Sequence, residues 1–92
     1  MTAVVTLPAV LDIQQAAPLR AELLALRGQA TAIDGSAVER LGGLCLQVLL
    51  SARQTWANDG VALTLAPASE ALVDQWNRFG APTAAFESGE RA

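Results

Sequence analysis

The chain has 92 residues, 52% of them apolar and 16% charged, which makes one small domain with its own core, leaves no room for a second core, and is too apolar for disorder. A net charge of −3, with six basic residues that are all Arg and spread along the sequence, argues against a protein that tracks nucleic-acid phosphates. The absence of His, Tyr and Lys and the presence of a single Cys remove the usual general bases, Schiff-base amines and metal clusters. The opening Met-Thr-Ala-Val-Val-Thr-Leu-Pro has neither the basic start nor the apolar core of a signal peptide, and no apolar run approaches the ~20 residues of a membrane span. A cytoplasmic location is therefore expected. The lone cysteine, which allows no internal disulfide, agrees with a reducing compartment.

In chain order, Ala3 to Leu7 is an alternating β-branched run that Pro8 interrupts, so the first strand is short or continues as an edge after a break over Pro8 to Leu11. Asp12 and Gln15 have the spacing of a capping box, but Pro18 lies too deep for a helix opening at Ile13. The regular helix is therefore expected to start around Gln15 to Ala17. Leu19, Leu23 and Leu26 fall at i, i+4 and i+7, and Gly28 supplies the stop. Ala30 to Asp34 reads as a short central strand covered on both faces or nearly so.

A polar loop and the pair Gly42-Gly43 lead into the strongest helical pattern in the chain. Leu41, Cys45, Val48, Leu49, Ala52 and Trp56 form its core stripe, and Asn58-Asp59-Gly60 closes it. Leu44, Leu46 and Leu50 lie off that stripe, which implies a sandwiched helix or a patch offered to a partner. Val61 to Leu65 is the next strand, ended by Pro67. Ser69 caps a last helix, with Glu70 in its first turn and Leu72, Val73, Trp76 and Phe79 on one side. After Pro82 there is no period, and only Phe86 gives the segment a reason to dock. A single domain over 1–82 with a frayed tail over 83–92 is expected. Strands alternating with helices give an α/β layer with at least partly parallel strands.

The carboxylates Asp34, Glu39, Asp59, Glu70 and Asp74 stand at element ends, as caps and solvated faces do, and suggest no catalytic pair. Gly42-Gly43 lacks the spacing of a phosphate-cradling or dinucleotide loop. Cys45, early in its helix, has the position of an activated thiol, but its place on the core stripe favours an inert small hydrophobe.

The run Asp34-Gly35-Ser36-Ala37-Val38-Glu39-Arg40-Leu41-Gly42-Gly43-Leu44-Cys45-Leu46-Gln47-Val48-Leu49 resembles the signature of STAS domains. That family comprises anti-sigma factor antagonists, regulatory tails of sulfate transporters and subunits of lipid transporters. The resemblance extends over nearly the whole chain and implies a small STAS-like α/β fold, with an about four-stranded, mixed or partly parallel sheet and about three helices. It also implies a non-catalytic regulatory module. Where the family carries Asp-Ser-Ser-Gly or Asp-Thr-Ala-Gly, with its phosphorylated hydroxyl at the helix mouth, this chain has Gly42, Gly43, Leu44 and Cys45. Gly43 and Leu44 stand at the degenerate phosphosite and accept no phosphoryl group. Ser36 survives in the motif and is expected to be structural, bonding the loop backbone, rather than an alternative phosphosite.

The resemblance therefore implies a docking surface without its switch. The expected contact residues are Arg40, Gly42, Gly43 and Leu44, with Gln47 and Ser51 one and two turns on. No cofactor, metal, nucleic acid or membrane insertion is expected, and the chain is expected to be a monomer or weak homodimer. The partner implied is a histidine kinase of a bacterial chemotaxis or related phosphorelay pathway. The alternatives are the ATPase of an ABC lipid transporter, which the domain would stabilise as a soluble subunit, or an anti-anti-sigma type of regulation.

Overall fold

The computed structural model describes residues 2–80, and the expected tail over 83–92 lies outside the described residues. The elements are β1 (Ala3–Thr6), β2 (Val10–Leu11), α1 (Ile13–Ala25), β3 (Thr31–Gly35), β4 (Arg40–Leu41), α2 (Gly43–Asp59), β5 (Leu63–Ala68) and α3 (Glu70–Arg78). The main sheet has three strands in the order β1-β3-β5, all parallel, rather than about four. What reads in the sequence as a continuation of the first strand is β2, which leaves that sheet after Pro8 and pairs with β4 in a separate two-stranded parallel ladder.

Each of the two long helices connects neighbouring parallel strands, α1 from β1 to β3 and α2 from β3 to β5. The sheet grows in one direction through both crossovers, so crossovers of one hand place both helices on the same face. Burial follows that geometry. Val5, Thr31, Ile33, Leu63 and Leu65 point into the core, while the opposite face carries Val4, which is 64% exposed, and the half-buried Ala32 and Thr64 aligned with it. The expectation of a central strand covered on both faces is corrected here. Within β3 only alternate residues are buried, because no helix among the described residues lies over the second face.

Two proline expectations are also corrected. Helix α1 starts at Ile13, where the Asp12 carboxylate accepts the Gln14 N–H at 3.0 Å, and Pro18 sits inside the helix. In the second turn a proline withholds one hydrogen bond, from the carbonyl four residues back, and here it does so on the exposed side. Strand β5 runs on to Ala68 through Pro67, past a register shift between Ile33 and Gly35 of β3, with a cis Ala66–Pro67 bond. That is tolerated because β5 is an edge of the sheet and Pro67 has a free side to face.

Helix α2 buries Cys45, Leu46, Leu49, Ala52 and Trp56 and ends on Gly60, whose φ of 70° is the left-handed cap that glycine adopts without cost. Leu46 belongs to the core and Leu50 packs against it, so neither forms a patch. The Trp56 indole N–H donates to the Gln29 carbonyl at 2.8 Å. In α3 the Ser69 hydroxyl accepts the Leu72 N–H at 3.0 Å as the expected cap, and Leu72 and Trp76 are buried. Phe79 does not join them. It stands at the cap position after the last turn and is half exposed.

Candidate functional site

The loop from β3 to α2 is built around its own polar residues. Asp34 accepts the Ser36 hydroxyl at 2.6 Å and the Ser36 N–H at 2.9 Å, which closes a tight Asx-type turn at the strand end. The Ser36 hydroxyl bonds a carboxylate, where a bond to the loop backbone is expected of it. The hydroxyl bond first, and the N–H bond second, hold the Asp34 carboxyl below its usual range.

Beyond the turn, α3 holds the loop down. The Ser69 hydroxyl donates to the Val38 carbonyl, the Gln75 amide donates to the Glu39 carbonyl at 2.8 Å, and its oxygen accepts the Leu41 N–H at 2.7 Å. From the other side the Ala9 carbonyl accepts the N–H groups of Glu39 and Arg40, and the Leu11 carbonyl accepts the Gly42 N–H at 2.8 Å. Gln75 is a residue the sequence reading passes over. An amide two turns into a helix gives no local sign that it reaches across to a loop more than thirty residues earlier.

Gly42 is the N-cap of α2 and supplies no side-chain cap bond, so the first N–H groups, of Gly43, Leu44 and Cys45, face the mouth. A Cβ on Gly42 would lie 2.9 Å from the Leu11 carbonyl oxygen, whereas one on Gly43 would meet only Phe79 Cε1 at 3.9 Å. The mouth is therefore closely fitted at Gly42 and open at Gly43. Around it the exposed apolar side chains are Leu44, 50% exposed, Ile13 at the start of α1, 71% exposed, and Phe79 beside Gly43. Neither Ile13 nor Phe79 is among the expected contact residues: Ile13 lies before the expected start of the first helix, and Phe79 reads as part of the apolar side of the last one.

Cys45 is fully buried, and its thiol donates to the Asp12 carbonyl at 3.3 Å. Burial first and the nearby Asp12 charge second push this thiol up, opposite to the shift that activates a nucleophile at a helix start.

Of the expected contact residues, Leu44, Gln47 and Ser51 come together on one wall of a groove of about 400 Å³ between α1 and α2, faced by Ala17, Arg20 and Leu24. Arg40 lies outside that groove, exposed on β4, and Gly42 and Gly43 sit at its head. Among the described residues no group of acids and Cys has the arrangement of a metal site, and no helix is long and apolar enough to cross a membrane.

Fold and site together define a small α/β domain that presents a loop and a helix mouth at one end of a parallel sheet. Comparison with family models places it further: the model described as "Mlab, STAS domain" matches residues 1–82, and the chain belongs to that family of STAS domains. STAS domains are in general non-catalytic regulatory modules that mediate protein–protein interaction. No curated protein matches the chain.

Proposed function

We propose that this chain is a constitutive docking module. It binds a signalling protein through the segment from Asp34 to Ser51, with Leu44 as the apolar anchor at the mouth and Arg40, Gly42, Gly43, Gln47 and Ser51 around it, and it is not phosphorylated there. The observation that carries this reading is the pairing of a firmly held loop with an uncovered apolar rim. A surface already fixed in place loses little freedom on binding, and a half-exposed leucine in the first turn of α2 is the kind of apolar anchor a partner can bury. The partner is a histidine kinase of a bacterial chemotaxis or related phosphorelay pathway, whose phosphotransfer the domain modulates.

A second reading has the family match in its favour, since the matching model is described by Mlab and not by a kinase pathway. In it the domain is a soluble subunit that stabilises the ATPase of an ABC lipid transporter. The test is capture of each candidate partner, kinase or transporter ATPase, by the wild-type chain and by Leu44→Asp. A charge at the anchor should weaken capture of the true partner by roughly tenfold or more while the circular dichroism spectrum stays unchanged. Undiminished capture by a folded Leu44→Asp chain rules out the proposed surface.

A further inference from the structure

The trough beside the mouth says what kind of partner element fits. Helices α1 and α2 both connect parallel strands, so they run in the same direction, and the space between them is a straight channel rather than a closed pit. Its α1 wall extends from Ala16 to Leu24, about 12 Å, and its α2 wall from Leu44 to Trp56, about 18 Å at 1.5 Å per residue. Small residues on both walls, Ala16 and Ala17 at the start of the α1 wall and Ser51 and Ala52 along the α2 wall, let another backbone come close, while Leu44 and Leu24 stand half exposed at opposite ends. Arg20 is the only charged residue in the lining, and, like Arg40 and Arg53, it has no side-chain hydrogen bond or ion pair among the described residues.

An extended segment laid in this trough would find no strand edge, and its backbone N–H and C=O groups would be covered without partners. A helix satisfies its own backbone, and two to three turns fill the length. An acid on its flank would meet the unpaired guanidinium in the fork geometry arginine favours.

We infer that the α1–α2 groove receives an amphipathic helix of the partner protein, with an apolar ridge lying on Ala17 and Ser51 and an Asp or Glu beside the ridge facing Arg20. This rests on the docking reading above and specifies the partner's element. The test uses a displayed library of helices about four turns long, with a fixed apolar ridge and a randomised flanking position, selected on the folded full chain. Wild type should enrich Asp or Glu at the flank. Arg20→Glu should enrich Lys or Arg there and bind the wild-type winners about tenfold more weakly. Ala17→Trp, which fills the trough from an exposed position of α1, should lose both sets of winners.

Failure to enrich any helix over an unrelated control surface, or winners that bind Arg20→Glu and Ala17→Trp as they bind wild type, overturns the inference. So does a dimer of the chain itself that Arg20→Glu dissociates, which would make a second copy the occupant. Both variants lie on α1, away from the mouth, so the two readings separate. A native partner lost with Leu44→Asp but retained by both α1 variants leaves docking standing and removes the helix in the groove. Retention by all three variants removes both.

Discussion

Two adjacent glycines at the mouth of α2 should respond to the same substitution in opposite ways. At Gly42 an alanine Cβ would sit 2.9 Å from the Leu11 carbonyl oxygen, and that oxygen also accepts the Gly42 N–H at 2.8 Å. The obstruction is backbone, in a residue whose side chain is fully buried, so it cannot swing aside. Relief requires β2 to part from the start of α2. Forcing an extra methyl into such a fitted place costs about 1–3 kcal/mol, at about 4–8 °C of melting temperature per kcal/mol for a chain of this size. At Gly43 the nearest atom is Phe79 Cε1 at 3.9 Å, an ordinary contact with an exposed ring. There alanine restricts the unfolded chain and favours the helix, a gain of about 0.4–1 kcal/mol. Urea unfolding followed by the fluorescence of Trp56 and Trp76, with the slope compared among variants, measures both changes. If Gly42→Ala proves neutral, or the two variants shift stability in the same direction, the close approach of β2 to the helix mouth is not what places glycine there.

Three further outcomes are expected. Gln75→Ala leaves the Leu41 N–H and the Glu39 carbonyl without their partner and should lower stability by about 1 kcal/mol; Gln75→Glu, which keeps the acceptor but not the donor, should recover only part of it, and a full recovery in urea titration would show that the Glu39 bond contributes nothing. Ser36→Ala should bring the Asp34 carboxyl back up toward the usual range, read as the midpoint of its NMR titration. Since this carboxyl is depressed in the folded chain, its contribution is present above the unfolded pKa and lost as pH falls through the folded one; the variant should lack that part of the acid-side decline, and an unmoved midpoint counts against the hydroxyl as the cause. Cys45, raised by burial, should resist thiol reagents near pH 8 until urea is added, and its contribution to stability should fade as pH rises past the ordinary thiol range; rapid labelling of the native chain would contradict its burial.

What the sequence displays and what it hides divide along physical lines. The helices were legible because their signals are local: Leu19 and Leu23, the Cys45 to Trp56 stripe, the Ser69 cap and the Gly60 stop all act within a few residues. Pro18 misleads because its penalty is one exposed hydrogen bond, which the Asp12 cap and the buried face of α1 outweigh. The sheet is harder to read. Nothing near Val10 announces that it pairs with Arg40 rather than extending β1, since a partner thirty residues away leaves no periodic trace. Nor does the short run from Ala30 to Asp34 tell a strand buried on both faces from one open on one side; crossover direction settles that. For the candidate site, Leu44, Gln47 and Ser51 could be placed together by helical spacing alone, whereas Arg20, Ile13 and Phe79 reach the same region from other elements. Phe79 in particular follows the apolar spacing of α3 but falls just past its last turn, where the stripe no longer faces the core.

On the proposed reading, in which Gly43 and Leu44 stand where the family carries its phosphorylated hydroxyl, the hydrogen bonds that hold the loop bear on whether a switch could operate there. A phosphoryl switch needs a segment whose contacts change when about two negative charges arrive. Here the segment between Asp34 and Gly42 is held from three directions: by the Asp34–Ser36 turn within it, by Ser69 and Gln75 of α3, and by the Ala9 and Leu11 carbonyls at the ladder of β2 and β4. Restoring Ser at positions 43 and 44 would return an acceptor to the mouth but would leave those holds in place. Restoring the acid at Gly42 would drive its Cβ against Leu11. On the proposed reading, the family acid cannot be regained without moving β2, so the mouth is committed by packing as well as by chemistry to a surface that is always ready to dock. Affinity would then be set by what the partner places on Leu44 and between α1 and α2, and regulation would have to enter through the partner.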